Sequence, residues 1–110
     1  MRRTPLALAA ILAALPAVAA GPGGARQQAL LRLLRQDCGS CHGMTLRGGL
    51  GSPLTPEALA GKPDDLLVTT ILDGRPGTAM PPWRSEITPE EARWLVARLR
   101  RGLAPREGLR

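Results

Sequence analysis

The residues best suited to chemistry in this chain stand together in one five-residue run, Cys38-Gly39-Ser40-Cys41-His42. The run contains both cysteines and the one histidine of the sequence. Two intervening residues let both thiols lie on one side of a short helical segment, where they can reach the two vinyl groups of one porphyrin. C-x-x-C-H is the attachment signature of c-type haem. The sequence therefore predicts one covalently attached haem c, bound by Cys38 and Cys41, with His42 as an axial ligand.

Three other uses of two nearby cysteines are open at this stage. A thioredoxin-like redox pair belongs in a βαβ unit, and the chain has no strand pattern. A zinc site needs two more ligands, although the chain has no third cysteine and no second histidine. A disulfide between Cys38 and Cys41 suits an exported protein, but its short loop would stabilise the fold little. We expect haem rather than any of these.

A second axial ligand is available on a later loop. Met44 follows His42 by two residues, so it is tethered to the same side of the porphyrin as the histidine. Met80 lies in Gly77-Thr78-Ala79-Met80-Pro81-Pro82, where glycine permits a close approach and the prolines stiffen the backbone. The alternative role for Met80 is that of a core methionine. We expect it to bind the iron.

The elements that must position these residues are short helices separated by turns. The sequence predicts four helices and two long loops rich in glycine and proline, with no strand. Thr55 and Thr88 are N-cap residues, and Thr88 with Glu91 forms a capping box. The helices are expected at about 25–37, 55–61, 63–72 and 88–102, the loops at 43–53 and 74–82, and a frayed tail at 103–110.

Length and composition restrict the function. The chain has 110 residues with no Phe or Tyr, and 15 Lys and Arg against 9 Asp and Glu give a net charge of +6. A domain with so small an aliphatic core needs an additional stabilising group, and a bound porphyrin would provide one. The sequence contains no carboxylate pair and no nucleophile–base pair that would indicate an enzyme. The basic residues are scattered without stacking aromatics, which argues against nucleic-acid binding; they suit either an acidic partner or a solvated surface.

The first 20 residues have the layout of a secretory signal peptide. Arg2 and Arg3 precede an apolar run, and small residues follow, so cleavage fits after Ala19 or Ala20 equally well. The apolar run is shorter than the about 20 residues that span a bilayer. An uncleaved anchor is the alternative, and two arginines alone are weak evidence for twin-arginine export. We expect residues 1–20 to be removed and residues 21–110 to act in the periplasm without a membrane span.

Taken together, the motifs resemble class I cytochrome c. They are a helix before C-x-x-C-H, a later G-x-x-M-P-P and a capped C-terminal helix. The runs DCGSCHGMTLRGGLGSPLTPEALAGKP and TILDGRPGTAMPPW are similar, more narrowly, to cytochrome c55X, which is encoded with cytochrome cd1-type nitrite reductases in denitrifying bacteria. The resemblance implies an all-α fold of short helices wrapped round one covalently bound haem.

Function and ligands follow from the resemblance. It implies thioether bonds at Cys38 and Cys41, with His42 as proximal and Met80 as distal ligand. It implies a periplasmic one-electron carrier that is not an enzyme and that serves the nitrite reductase. An accessory role in the maturation or insertion of haem d1 is the alternative. An enzyme or gas sensor with an open iron position is disfavoured by Met80.

Three further positions are taken from the family. Pro53 matches the proline whose carbonyl holds the axial imidazole. Trp83 lies near a haem propionate or is simply a packing aromatic. Many class I members have an aromatic residue in the last helix, whereas this chain has Arg98 there and Trp94 one turn earlier.

Overall fold

All regular secondary structure in the described part of the chain is helical. A computed structural model describes residues 1–14 and 21–108, and no β-strand occurs within them. The elements are α1 (Gly24–Leu33), a π-helical turn (Leu34–Cys38), α2 (Gly39–His42), α3 (Pro56–Leu59), α4 (Asp64–Asp73) and α5 (Pro89–Arg101). The predicted all-α architecture is confirmed, although the first helical stretch is longer than expected.

The N-terminal residues that are described, 1–14, are irregular and exposed. The cleavage positions expected after Ala19 and Ala20 lie outside the described residues, so the signal peptide stays a prediction. Among the described helices, none is long and apolar enough to cross a bilayer.

The core forms where α1, α4 and α5 pack together, and it is almost wholly aliphatic. Leu30 and Leu34 from the first helical stretch, Ile87 just before α5, and Leu95 and Val96 from α5 are at most 2% exposed. Each such side chain stabilises the fold by about 1.5–3 kcal/mol when fully buried. The helical spacing of apolar residues predicts the inward faces of α4 and α5 correctly, but on the first helical stretch it misses Leu31 and Arg35, which are 5% and 4% exposed.

Several apolar side chains beside this core are only partly covered. Leu33 on α1, together with Leu67 and Ile71 on α4, packs against the core while remaining partly exposed. Leu54 and Trp83, on the two long loops, do the same. The polypeptide therefore leaves partly exposed apolar surface on α1, α4 and the two long loops.

The last helix begins with the predicted capping box. The Glu91 amide donates to Thr88 Oγ1 at 3.1 Å, and the Thr88 amide donates to Glu91 Oε1 at 3.0 Å. Thr55 caps α3 in a similar way, accepting from the Ala58 amide at 3.3 Å. Such a cap stabilises a helix by about 1 kcal/mol.

Glu91 also joins the start of α5 to the start of α1. Arg26 Nε donates to Glu91 Oε2, and Arg26 Nη2 donates to Glu91 Oε1 at 3.2 Å and to the Glu86 carbonyl at 2.8 Å. Hydrogen bonds to the carboxylate lower the pKa of Glu91 from 4.5 to about 2. The bond from Arg26 has the largest effect, and the bond from the Thr88 amide has the next largest. The ionised carboxylate is thus a group on which the contact between α1 and α5 depends.

The C-terminal tail does not fray over the residues described. After α5 it forms a turn in which the Glu107 amide donates to the Ala104 carbonyl at 3.0 Å. The Glu107 carboxylate accepts from the Ala104 amide at 3.0 Å and forms an ion pair with Arg98. The predicted frayed tail is wrong up to Gly108, because contacts with distant parts of the chain hold it.

The tie between Arg26 and Glu91 predicts a pH-dependent stability. Because the pKa of Glu91 is lowered on folding, its contribution is complete above pH 4.5 and is lost as the pH falls towards 2. Glu91→Gln should lower the free energy of unfolding at pH 7 by about 0.5–1 kcal/mol. It should also flatten the fall in stability between pH 4.5 and 2, as measured by thermal unfolding of the holoprotein.

The exposed neighbour Glu90 provides the matched control. Glu90→Gln removes the same charge from the same helical turn, so its unfolding curve should follow that of the wild type at each pH. Equal pH dependence in the Glu91→Gln protein and the wild type would contradict the assigned role of this carboxylate.

Candidate functional site

The Cys38–His42 run forms the end of one continuous helical stretch. The sequence predicted a helix ending near Asp37, but a π-helical turn at Leu34–Cys38 continues it into α2. The Ser40 hydroxyl donates to the Asp37 carbonyl at 2.7 Å and steadies this turn. Such π-turns are frequent at functional sites. Both cysteines and the histidine therefore lie on adjoining helical turns, as haem attachment requires.

The two thiols are free and differ in their surroundings. Cys38 is half-buried, whereas Cys41 is exposed. Burial, reinforced by the negative charge of Asp37, raises the pKa of Cys38 from 9.0 to about 11. Cys38 is therefore a neutral thiol at neutral pH.

The His42 ring is fixed by a main-chain carbonyl. Its Nδ1 lies 2.6 Å from the carbonyl oxygen of Ser52, which accepts the Nδ1 proton. The other ring nitrogen, Nε2, is then the one with a free lone pair for a metal. Family resemblance had assigned this carbonyl to Pro53, and that expectation is wrong by one residue. Proline restricts the residue before it to extended conformations, so Pro53 instead fixes Ser52, the residue that accepts.

The loop that supplies Ser52 lies directly against the helix end. The Gly51 amide donates to the Cys41 carbonyl and the Gly48 amide to the His42 carbonyl, each at 2.8 Å. A Cβ atom on Gly51 would lie 2.9 Å from His42 Nδ1 and 3.0 Å from Cε1. Only glycine at this position leaves room for the imidazole. The predicted glycine-rich loop can therefore approach His42 closely.

Leu46 on the same loop has an unusual backbone. Its φ of 60° lies in the left-handed region, which costs a residue other than glycine about 1–3 kcal/mol. The side chain is 4% exposed, and its burial offsets this cost. Its carbonyl accepts from the Leu54 amide at 2.8 Å, and so the core anchors the loop on both sides of Ser52.

Met80 lies on the second loop, which is closed by its own backbone. The Arg75 amide donates to the Met80 carbonyl at 3.1 Å, and the Thr78 amide donates to the Arg75 carbonyl at 3.0 Å. Gly74 has a φ of 66°, and a Cβ atom there would lie 2.6 Å from the Met80 carbonyl oxygen. The half-buried Met80 is thus held on a stiff hydrogen-bonded loop, as its sequence predicted.

Trp83 anchors the end of that loop on α4. Its amide donates to the Ile71 carbonyl at 3.0 Å, and the next amide, that of Arg84, donates to the Leu72 carbonyl at 3.1 Å. The indole is half-buried against the core. This is the packing role that had been weighed beside contact with a propionate.

The donors present fit a haem. Among the described residues, no three His, Cys, Asp or Glu side chains come together, so the zinc alternative has no ligand set there. The structure offers two free thiols, one oriented imidazole, a methionine on a rigid loop and partly exposed apolar side chains. These are the groups that bind a c-type haem.

Sequence reasoning missed Ser52, Gly51 and Gly74. The extended conformation imposed by Pro53 was the available signal for Ser52. For the two glycines, only the three-dimensional approach of His42 and of the Met80 carbonyl shows why no side chain fits.

Comparisons with known proteins agree with this site. A family model described as cytochrome C oxidase, cbb3-type, subunit III matches residues 25–97. Cytochrome c55X of Paracoccus denitrificans (strain Pd 1222) is 56% identical over 91 residues, which cover 83% of this chain and 88% of the relative. The solved structure of the c-type cytochrome NirC is 57% identical with a TM-score of 0.72, and the match covers 73% of this chain and 94% of that one.

A larger relative contains a similar segment. Dihydro-heme d1 dehydrogenase of Pseudomonas aeruginosa is 37% identical over 99 residues. The match covers 90% of this chain but 19% of the relative, so the similarity is to one part of that protein.

Close packing at Gly51 predicts that any side chain there disturbs His42. In Gly51→Ala the new methyl group should weaken the bond to the Ser52 carbonyl, at a cost of about 1 kcal/mol. We expect the melting temperature of the holoprotein to fall by about 4–8 °C and the yield of covalently bound haem to decrease. Differential scanning calorimetry and haem-stained gels would measure both.

Gly24→Ala is the control, since a Cβ atom at Gly24 meets nothing within 4 Å. It should melt at or slightly above the wild-type temperature. A Gly51→Ala protein with wild-type melting and haem content would show that the loop does not position the ring.

Proposed function

Since the chain belongs to the class I c-type cytochromes and is 56% identical to a cytochrome c55X, we propose that it is a one-electron carrier with one covalently attached haem c. His42 and Met80 are its proposed axial ligands, and Cys38 and Cys41 its thioether attachment points. The observation on which the proposal depends is the fixed His42 ring, with Nδ1 engaged by Ser52 and Nε2 left free in a C-x-x-C-H motif.

The bound haem supplies a one-electron couple between Fe(III) and Fe(II). The chain's part is to hold the ligands with little freedom to move. The Ser52 carbonyl orients the proximal ring, and the closed loop around Met80 limits displacement of the thioether sulfur. A Met ligand favours the reduced state relative to a second histidine. With both axial positions filled by side chains, no position is left for substrate or oxygen.

We place this activity in the periplasm, with residues 1–20 as a cleaved signal peptide and residues 21–110 as the cytochrome domain. The basic start, apolar run and small residues of the N-terminus support export. The proposed electron acceptor is a cytochrome cd1-type nitrite reductase, on the basis of the likeness to cytochrome c55X. The net positive charge suits an acidic docking surface on that partner.

A second candidate function is an accessory role in haem d1 maturation. The likeness to one part of dihydro-heme d1 dehydrogenase favours it, because a segment similar to this chain is built into a protein of that name. In this role the chain would exchange electrons with a maturation enzyme rather than with the finished nitrite reductase.

Ligation by Met80 predicts a spectroscopic signature. The oxidised protein should show a methionine-to-iron(III) charge-transfer band that is absent from Met80→Ala, because the thioether sulfur is gone. The reduction potential should fall in the same variant. Reduced Met80→Ala should bind carbon monoxide rapidly, whereas the wild type should not.

Met44→Ala is the matched control, since it removes the other methionine near the site and should retain the band. Mass spectrometry should find one haem on each exported protein, with chains beginning at Ala20 or Gly21. Persistence of the band in Met80→Ala, or its loss in Met44→Ala, would contradict the assignment of the ligand.

A strain that lacks only this protein separates the two candidate functions. Under the first, the nitrite reductase should contain its normal amount of haem d1, while nitrite reduction by whole cells slows. Extracted d1 haem and nitrite consumption would be measured in parallel, with a complemented strain as control. A reductase without d1 haem would instead support the maturation role.

A further inference from the structure

One buried cation ties the C-terminal tail to the helical stretch that bears the cysteines. Arg35 lies in the π-helical turn, three residues before Cys38, and is 4% exposed. Its guanidinium donates to three main-chain carbonyls. The bonds are Nε to Glu107 at 2.8 Å, Nη2 to Ala104 at 2.6 Å and Nη1 to Met44 at 3.3 Å.

These bonds enclose the haem-attachment run. Arg35 precedes Cys38 and Met44 follows His42 by two residues, so the Nη1 bond spans the run from one side to the other. The other two acceptors belong to the tail turn, which is closed by its own bonds between Ala104 and Glu107. The turn therefore offers Arg35 two acceptors whose relative position is fixed.

Both hydrogen bonds and close packing hold these segments together, since Gly108 of the tail lies against the Leu31 carbonyl with no room for a Cβ atom. A cavity of about 600 Å³ lies among them, lined by Arg35, Met44, Leu46, Leu99 and Leu103 together with eight other residues. Arg35 is one of the residues that line this cavity, and its guanidinium joins the tail turn to Met44. The three acceptors are neutral carbonyls, so none of these bonds places a negative charge beside the buried guanidinium.

We propose that Arg35 is a positioning residue for the proximal side of the haem site, an inference that rests on the proposed function. Its bonds fix the backbone on both sides of the Cys38–His42 run and thereby the orientation of the His42 ring. Its buried charge favours the reduced state of the nearby site, since a positive charge in a low-dielectric environment destabilises added positive charge.

The test compares holoprotein variants Arg35→Met and Arg35→Lys. Arg35→Met should change the hyperfine-shifted ring-proton resonances of His42, lower the reduction potential, and accelerate hydrogen exchange of the Ala104 and Glu107 amides at least about tenfold. Arg35→Lys keeps the charge but cannot reach three acceptors. It should accelerate exchange and shift the resonances while leaving the potential near that of the wild type.

Arg101→Met is the control, because it removes an exposed charge from the end of α5 and should leave the His42 resonances and the exchange rates unchanged. If Arg35→Met does not fold, Gly108→Ala serves instead. A Cβ atom at Gly108 would overlap the Leu31 carbonyl, so the tail should be displaced from an intact Arg35. The His42 resonances should then shift as well.

Wild-type His42 resonances and an unchanged potential in folded Arg35→Met would overturn the proposal, even if the melting temperature falls. Unchanged His42 resonances in Gly108→Ala would overturn it equally. A wild-type protein without covalent haem would contradict the proposed function itself, so the two failures are distinguishable.

Discussion

The hydrogen bond from His42 Nδ1 to the Ser52 carbonyl is the interaction on which the rest of the site depends. A lone imidazole on a helix end could rotate about two bonds, and one acceptor fixes both its tautomer and its direction. The loop that brings Ser52 into place is in turn bonded to the Cys41 and His42 carbonyls. The helix end and the loop therefore stabilise one another, with main-chain groups on both sides of the contact.

The Met80 loop is organised on the same principle. Its backbone bonds to itself and to the end of α4, and glycine stands where a side chain would collide with a carbonyl. Apart from Arg35, the charged side chains that tie helices together act farther out, at helix ends. Arg26 links α1 to α5, and Arg100 links α5 to Asp64 at 2.6 Å and to the Leu59 carbonyl at 3.1 Å. The two loops of the site are held mainly by main-chain hydrogen bonds, and the helices around it are linked by arginines.

The difference between local signals and contacts distant in sequence explains how much of the fold and of the site could be predicted from the sequence. Caps, stops and apolar faces are local signals, so Thr55, Thr88 and the inward faces of α4 and α5 were predicted correctly. The π-helical turn before Cys38 has no simple local signal, and the acceptor for His42 was placed one residue late. The ordered tail was not predicted because its bonds to Arg35 join residues as many as 72 positions apart. The local sequence around Arg35 does not indicate the tail, and the local sequence of the tail does not indicate Arg35.

The two candidate functions make the same demand on this site, which explains why its internal geometry favours neither. Passing an electron to a finished reductase and accepting one from a maturation enzyme both require rigid ligands and an accessible loop. The loop around Met80 meets the second demand, since residues 75–79 and both following prolines are exposed. What differs between the functions is the partner that meets this surface. A domain of this kind can meet a partner as a separate protein or be joined to one, and the similar segment within the larger dihydro-heme d1 dehydrogenase is an instance of the joined form.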